Sequence, residues 1–410
     1  MRSRPQRLRL EWKAHLVLLD LQVQLDHRDQ KVIPVWLVLM ILPFAAVLYK
    51  EPAVLGQLMQ YNGNSLNGGH FDWVLFGAAA TVVFSLIAQI GEQVDFLRFL
   101  PDKTRENRQR WWSALLLAGP GWILMGTAKM LGGALLAYLA ISHSVPTDRA
   151  VDPNQMYLAA YEYVFPTLGW AVAATAVFVV VSQIKINVTN AYAGSLAWSN
   201  FFSRLTHSHP GRVVWVLFNS LIAFMLMEMN VFQALGDVLG LYSNIAIAWI
   251  MAVVADLVIN KPLGLSPKGI EFKRAHLYDI NPVGVGAMAL ASALSISAYF
   301  GVFGPMAQAF SAVVAMLTAL VAAPAIAWAT GGRYCIAREG VADAFAGPNG
   351  MGSPATQKCV ICERDYEGPD MAQCPAYRGA ICSLCCTLDA RCGDVCKPHA
   401  SLASQWSATL

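Results

Sequence analysis

Eight cysteines fall between Cys359 and Cys396, and their spacing is that of metal ligands. The pattern is Cys359-x2-Cys362-x11-Cys374-x7-Cys382-x2-Cys385-Cys386-x5-Cys392-x3-Cys396, followed by His399. Two C-x2-C pairs separated by about 20 residues can supply four thiolates to one tetrahedral zinc. Cys359, Cys362, Cys382 and Cys385 are the natural first set. Cys374, Cys386, Cys392, Cys396 and His399 remain as candidates for a second. About 40 residues are too few for a sufficient hydrophobic core, so metal is expected to supply much of the folding energy. Pro375, Gly368 and Gly379 offer turns between the knuckles. An iron–sulfur cluster is the main rival, but the C-x2-C-x2-C spacing of ferredoxins is absent, which favours zinc.

A second group of candidates lies in an apolar stretch. Gln183, Asn187, Asn190 and Gly194 recur at i, i+4, i+7 and i+11, so they share one helix face. Lys185, Thr189 and Tyr192 form a neighbouring stripe. A lysine within a bilayer costs about 2.5–3.5 kcal/mol on insertion scales, so such groups normally face a cavity or a partner. Two carboxamides on one face suit a planar ligand with amide edges, such as a nucleobase or hydantoin. The spacing alone is equally compatible with amides that bind neighbouring helices and a lysine that snorkels to the surface.

These residues must be positioned by membrane helices. The chain is 56% hydrophobic and 13% charged, about half the charged fraction of a typical soluble protein. Apolar runs predict about eight spans, near 33–49, 72–90, 112–140, 166–190, 213–229, 237–259, 283–302 and 304–330. Lys and Arg alternate between loops. Residues 1–31 carry seven, segment 91–111 carries Arg98, Lys103, Arg105, Arg108 and Arg110, and segment 260–282 carries Lys261, Lys268, Lys273 and Arg274. The opposite loops hold only Lys50 and Arg149. The positive-inside rule then puts both termini and the cysteine tail on the cytoplasmic side of the inner membrane. There, thiols are reduced and serve as metal ligands rather than disulfides. The net charge of +3 gives no reason to expect a nucleic-acid partner.

Several motifs resemble one family. Asp95-Phe96-Leu97-Arg98-Phe99 resembles the D-[FY]-x-R-[FY] signature of the nucleobase–cation symporters, the purine, cytosine, allantoin and hydantoin permeases. Asn187 to Asn200, NVTNAYAGSLAWSN, resembles that family's asparagine-bearing eighth helix. Ala255-Asp256-Leu257, then Tyr278 and Asn281-Pro282, resembles the end of its tenth helix and the loop beyond. The resemblance implies part of a 5+5 inverted-repeat transporter fold with a site near the midplane. The eight spans resemble the family's fifth to twelfth, and its first four have no counterpart. Asn187 and Asn190 would hold the ligand's polar edge, and Phe84, Ser85 and Gln89 would line the site. Lys185 falls near the family's sodium position, where its ammonium argues against sodium coupling.

The expected architecture is an all-α polytopic membrane protein with a small metal-stapled tail. Residues 1–31 form a basic segment, 32–335 the permease-like domain, 336–357 a linker, 358–400 the cysteine module and 401–410 a short tail. The expected function is to bind or transport a nucleobase-type compound. One alternative is the membrane input module of a histidine kinase system, with a signalling protein as partner. Another is a membrane anchor for a zinc module that docks a protein. Kinase motifs are absent, and histidines such as His70, His143, His207 and His209 lie in loops without a partnered acid or nucleophile, so an enzyme is not expected.

Overall fold

The computed structural model describes residues 34–63, 71–89, 101, 103–206, 212–229, 235–338, 356–388, 392 and 394–409. The basic N-terminal segment, the Asp95–Phe99 motif and most of the expected linker lie outside them. The described chain is mostly helical and divides into two compact units, one of 73–88 with 194–409 and one of 34–72 with 89–193.

In the second unit, helix α1 (Pro34–Lys50) meets α2 (Val54–Gln60) at 90°. Pro52 explains the bend, since it has no N–H to donate and pushes Glu51 away from helical geometry. Then come α4 (Arg108–Ala118), α5 (Gly121–Ser142) and α6 (Pro153–Tyr161). Asp152 caps α6 by accepting from the Asn154 N–H at 2.9 Å, with Pro153 at the first helical position. Long α7 (Leu168–Thr206) passes from this unit into the other. Trp36 Nε1 donates to Ser182 Oγ at 2.8 Å, which ties α1 to α7.

The first unit is built on α3 (Trp73–Phe84), α8 (Arg212–Glu228), α9 (Leu235–Ala255), α10 (Pro282–Tyr299), α11 (Pro305–Ala309) and α12 (Ser311–Thr330). Alanine dominates the contacts of α9, α10 and α12. Ala248, Ala255, Ala287, Ala291, Ala312, Ala315, Ala319, Ala323 and Ala327 are all fully buried. Small side chains let helix backbones approach closely, which substitutes for a hydrophobic driving force in lipid. Gly77 serves the same end, because a Cβ there would sit 2.7 Å from the Phe310 ring. Beyond Ala255 the helix widens into one π turn, Asp256–Asn260, closed by the Lys261 N–H on the Asp256 carbonyl at 2.9 Å. Single π turns are frequent at functional sites.

Among the described residues, four helical stretches are long and apolar enough to cross a bilayer: Ile123–Ser142, Gly236–Asn260, Pro282–Tyr299 and Ser311–Thr330. The bent pair α1–α2 makes a fifth if it is one span. Stretches Trp73–Ala88, Leu168–Ile184 and Val213–Glu228 are apolar but shorter, below the ~20 residues that cover a ~30 Å core. This fits a membrane protein. Two of the eight expected spans are broken in ways that apolarity conceals. Gly119-Pro120 separates α4 from α5 inside the expected 112–140 span, and Phe310 separates α11 from α12 inside 304–330.

Among the described residues, the cysteine module adds strands to a mostly helical structure. Hairpin β1 (Gln357–Lys358) with β2 (Asp365–Tyr366) flanks the first knuckle. Hairpin β3 (Met371–Cys374) with β4 (Gly379–Cys382) runs into α13 (Ser383–Leu388). The expected bare tail is itself helical, as α14 (Leu402–Thr409).

Candidate metal centre

Local structure brings the first cysteine set together. Cys359 and Cys362 occupy the tight turn between β1 and β2, where Glu363 takes φ of 60°. The Glu363 N–H returns to the Cys359 carbonyl at 2.9 Å, and the Cys359 N–H donates to the Arg364 carbonyl at 2.8 Å. Cys382 closes β4, and Cys385 sits on the first turn of α13. The Val360 N–H donates to the Ala380 carbonyl at 3.0 Å, which sets the two knuckles side by side. Gly379 is needed there, since a Cβ would lie 2.6 Å from Val360 Cγ1.

The result is four sulfurs, of Cys359, Cys362, Cys382 and Cys385, all within 4.8 Å of one another. They could hold one metal ion. Cys362 is half-buried and the other three are buried. Backbone donors point at the sulfurs: the Cys382 N–H lies 3.3 Å from Cys359 Sγ and the Cys385 N–H 3.4 Å from Cys382 Sγ. Hydrogen bonds to a sulfur favour its charged form. The Cys382 and Cys385 thiols also donate to Cys359 and hold it well below the usual thiol range. That charge in turn pushes Cys382 up to about 11 and Cys385 further still. Thiols competing for one negative charge is the chemistry that a cation resolves, because it stabilises every thiolate at once.

The remaining cysteines gather beside this set. Cys374 and Cys386 are buried in the same core, and Cys392 and Cys396 pack against it. Among the described residues, only the first set closes to 4.8 Å. His399 stands apart: its Nε2 is 2.9 Å from the Ala337 carbonyl and its ring meets Tyr278 edge-on.

The module is seated on the loop between α9 and α10. Arg274 Nη2 donates to Asp394 Oδ2 at 2.7 Å, with both side chains 3% exposed. Lys397, equally buried, donates from Nζ to the Leu277 carbonyl and to Asp279 Oδ1, both at 2.7 Å. The other Asp279 oxygen accepts the Leu402 N–H at 2.9 Å, and the Asp279 N–H donates to the Ala400 carbonyl at 3.1 Å. Gln405 pairs with both backbone groups of Ile280, at 3.0 and 2.8 Å. The Ala275 N–H donates to Cys386 Sγ at 3.3 Å. The same loop leads directly into α10, where Asn281 Oδ1 caps the helix by accepting from the Val283 N–H at 3.0 Å.

The expected ligand face is less developed. Gln183, Asn187 and Asn190 lie on α7 as the periodicity requires, and all three are exposed. The side chains of Lys185 and Gln89 lie outside the described residues. Phe84 is half-buried against Ile247 and Ala248 of α9 and alanines of α10 and α12. Ser85 is buried, and its hydroxyl donates to the Val82 carbonyl at 2.6 Å. Asp256, expected at the helix end, instead opens the π turn that carries the helix on to Asn260, and its carboxylate lies 3.6 Å from Lys261 Nζ.

Sequence reasoning missed the seat. It assigned Lys273 and Arg274 to membrane topology, whereas Arg274 is a buried partner of Asp394. It also missed Asn244, fully buried in α9, whose Nδ2 donates to the Gly240 carbonyl at 2.9 Å while its Oδ1 has no partner among the described residues. A lone charge in a polar loop carries no signal of the residue it will meet 120 positions later. For Asn244, the signal was present as a carboxamide within an otherwise apolar span. No protein-family model, no curated protein and no solved structure matches the chain.

Proposed function

We propose that this chain is a permease-like membrane protein that binds a nucleobase-type compound and acts as a sensory input module, with its zinc-stapled tail as the reporting element. The observation that carries this reading is the seat of the module on the α9–α10 loop. Buried ion pairs and backbone hydrogen bonds fix it to the segment between the π turn and the start of α10. A shift of either helix end would therefore move the module as one body. A carrier with an unrelated appendage needs only a loose tether.

Zinc is the ion we assign to the first set. Cys362 Sγ and Cys382 Sγ are 3.9 Å apart, close to the ~3.8 Å edge of a tetrahedron with ~2.3 Å zinc–sulfur bonds. An iron–sulfur cluster places its inorganic core between the thiolates and needs a wider frame. With four protein sulfurs a zinc site is closed and structural, not catalytic. The ligand class rests on the resemblance to nucleobase–cation symporters and on the shared face of Gln183, Asn187 and Asn190.

The test uses the full chain in lipid nanodiscs and in cells. Binding of radiolabelled cytosine, adenine, allantoin or hydantoin is measured beside uptake of the same compounds. We expect binding of at least one compound, at least tenfold weakened in Asn187→Ala, with no accumulation in cells. Binding accompanied by accumulation would overturn the sensory reading in favour of a carrier. Absence of binding by all four would remove the ligand class.

A further inference from the structure

The four cysteines of the module outside the first set share a core, a surrounding charge and a mode of hydrogen bonding. Cys374 ends β3, and Cys386 follows Cys385 directly on α13. Cys392 and Cys396 flank a turn in which Asp394 takes φ of 54°. All four belong to one packed cluster. Two of the sulfurs already have backbone donors: the Asp394 N–H bonds to Cys392, and the Ala275 N–H lies 3.3 Å from Cys386 Sγ. Sulfurs of the first set accept backbone N–H groups in the same way.

We propose that Cys374, Cys386, Cys392 and Cys396 form a second tetrathiolate metal site, and that its ion locks the module onto the α9–α10 loop. Four thiolates around a divalent cation leave a net charge of about −2. Three cations stand near that charge, two of which, Lys397 and Arg274, also pair with Asp279 and Asp394. Lys397 is the residue after Cys396, and Arg338 reaches the Cys396 carbonyl at 3.5 Å. Arg274 is buried beside Asp394 with its Nε and Nη1 still without a partner among the described residues.

The two sites are interleaved along the chain. In hairpin β3–β4, Cys374 of the second set ends β3 and Cys382 of the first ends β4. Adjacent Cys385 and Cys386 serve one site each. Each ion therefore fixes backbone that the other needs. Because Cys386 accepts from Ala275, a group of the α9–α10 loop, the second ion also links metal to the seat.

The experiment is native mass spectrometry and elemental analysis of the full chain purified in detergent with Zn2+. We expect about two zinc ions per wild-type chain. Cys374→Ser/Cys392→Ser should lower this to about one. Cobalt substitution of wild-type protein provides a check that needs no variant. Charge-transfer and d–d bands of tetrahedral thiolate-bound Co2+ should rise linearly to about two equivalents. Saturation at one equivalent, two ions retained in the double variant, or iron with acid-labile sulfide in place of zinc would each overturn the proposal.

Discussion

The guanidinium of Arg274 and the carboxylate of Asp394 meet at 2.7 Å with both side chains almost wholly buried. One belongs to the loop between two membrane-type helices, the other to the metal module. Removing one partner of a buried pair leaves an uncompensated charge, which costs about 3–5 kcal/mol, whereas replacing both with apolar groups is often neutral. Asp394→Asn should therefore detach the module, while Arg274→Met/Asp394→Leu should keep it seated. Hydrogen exchange over residues 272–281 reads the difference. Equal protection in wild type and Asp394→Asn would contradict a seat that depends on this pair.

Acid should loosen the seat through Asp279. Burial raises its carboxyl, but the Lys397 hydrogen bond, the Leu402 N–H, the Lys397 charge and the Arg274 charge outweigh this and bring it below the usual range. A carboxyl depressed in the folded state contributes its full stability above the unfolded value of about 3.9 and loses it as pH falls through the folded value. Protection at residues 398–405 should be flat from about pH 7 to 5 and decline below about pH 4. Asp279→Asn should be weaker throughout and lose that part of the acid decline. A variant with an unchanged acid limb would assign the pH response to other groups.

Metal removal should act on the tail alone at first. Apparent zinc binding energies of about 10–16 kcal/mol are folding energy for modules this small. Chelation should abolish protection across 357–388 and leave the alanine-packed helices α9, α10 and α12 protected. Cys359→Ser should do the same without chelator. Protection of 357–388 that survives a metal-free preparation would mean that the hydrophobic contacts suffice.

Gly77 offers a test of packing away from the metal. Its missing Cβ leaves room for the Phe310 ring at 2.7 Å. Overpacking of this kind costs about 1–3 kcal/mol, so Gly77→Ala should lower the thermal midpoint of the helical unit. Adding Phe310→Leu should restore most of it. A silent Gly77→Ala would show that α3 and Phe310 separate freely.

What the sequence disclosed follows the range of each interaction. Cysteine spacing is local, so Cys359, Cys362, Cys382 and Cys385 were legible as one set from two C-x2-C pairs. Apolar runs placed a helix at each of the eight expected spans, of which four, or five with the bent pair α1–α2, are long and apolar enough among the described residues to cross a bilayer. They could not show the breaks at Gly119-Pro120 or Phe310, because hydropathy counts the flanking residues and passes over a missing donor. The seat was illegible for a further reason. Arg274 and Asp394, or Asp279 and Lys397, are separated by 118 to 120 positions, and nothing in one polar loop marks its partner in another. The hairpins of the module were hidden because strands of two to four residues are too short to show a period.

The measurement that tests the central claim most directly is hydrogen exchange of the full chain in nanodiscs, with and without the tightest-binding compound of the panel. Residues 271–281 and 386–405 should change protection together on binding, and Asn187→Ala should abolish both changes. A bound compound that alters neither segment would contradict a module that reports the state of the membrane helices.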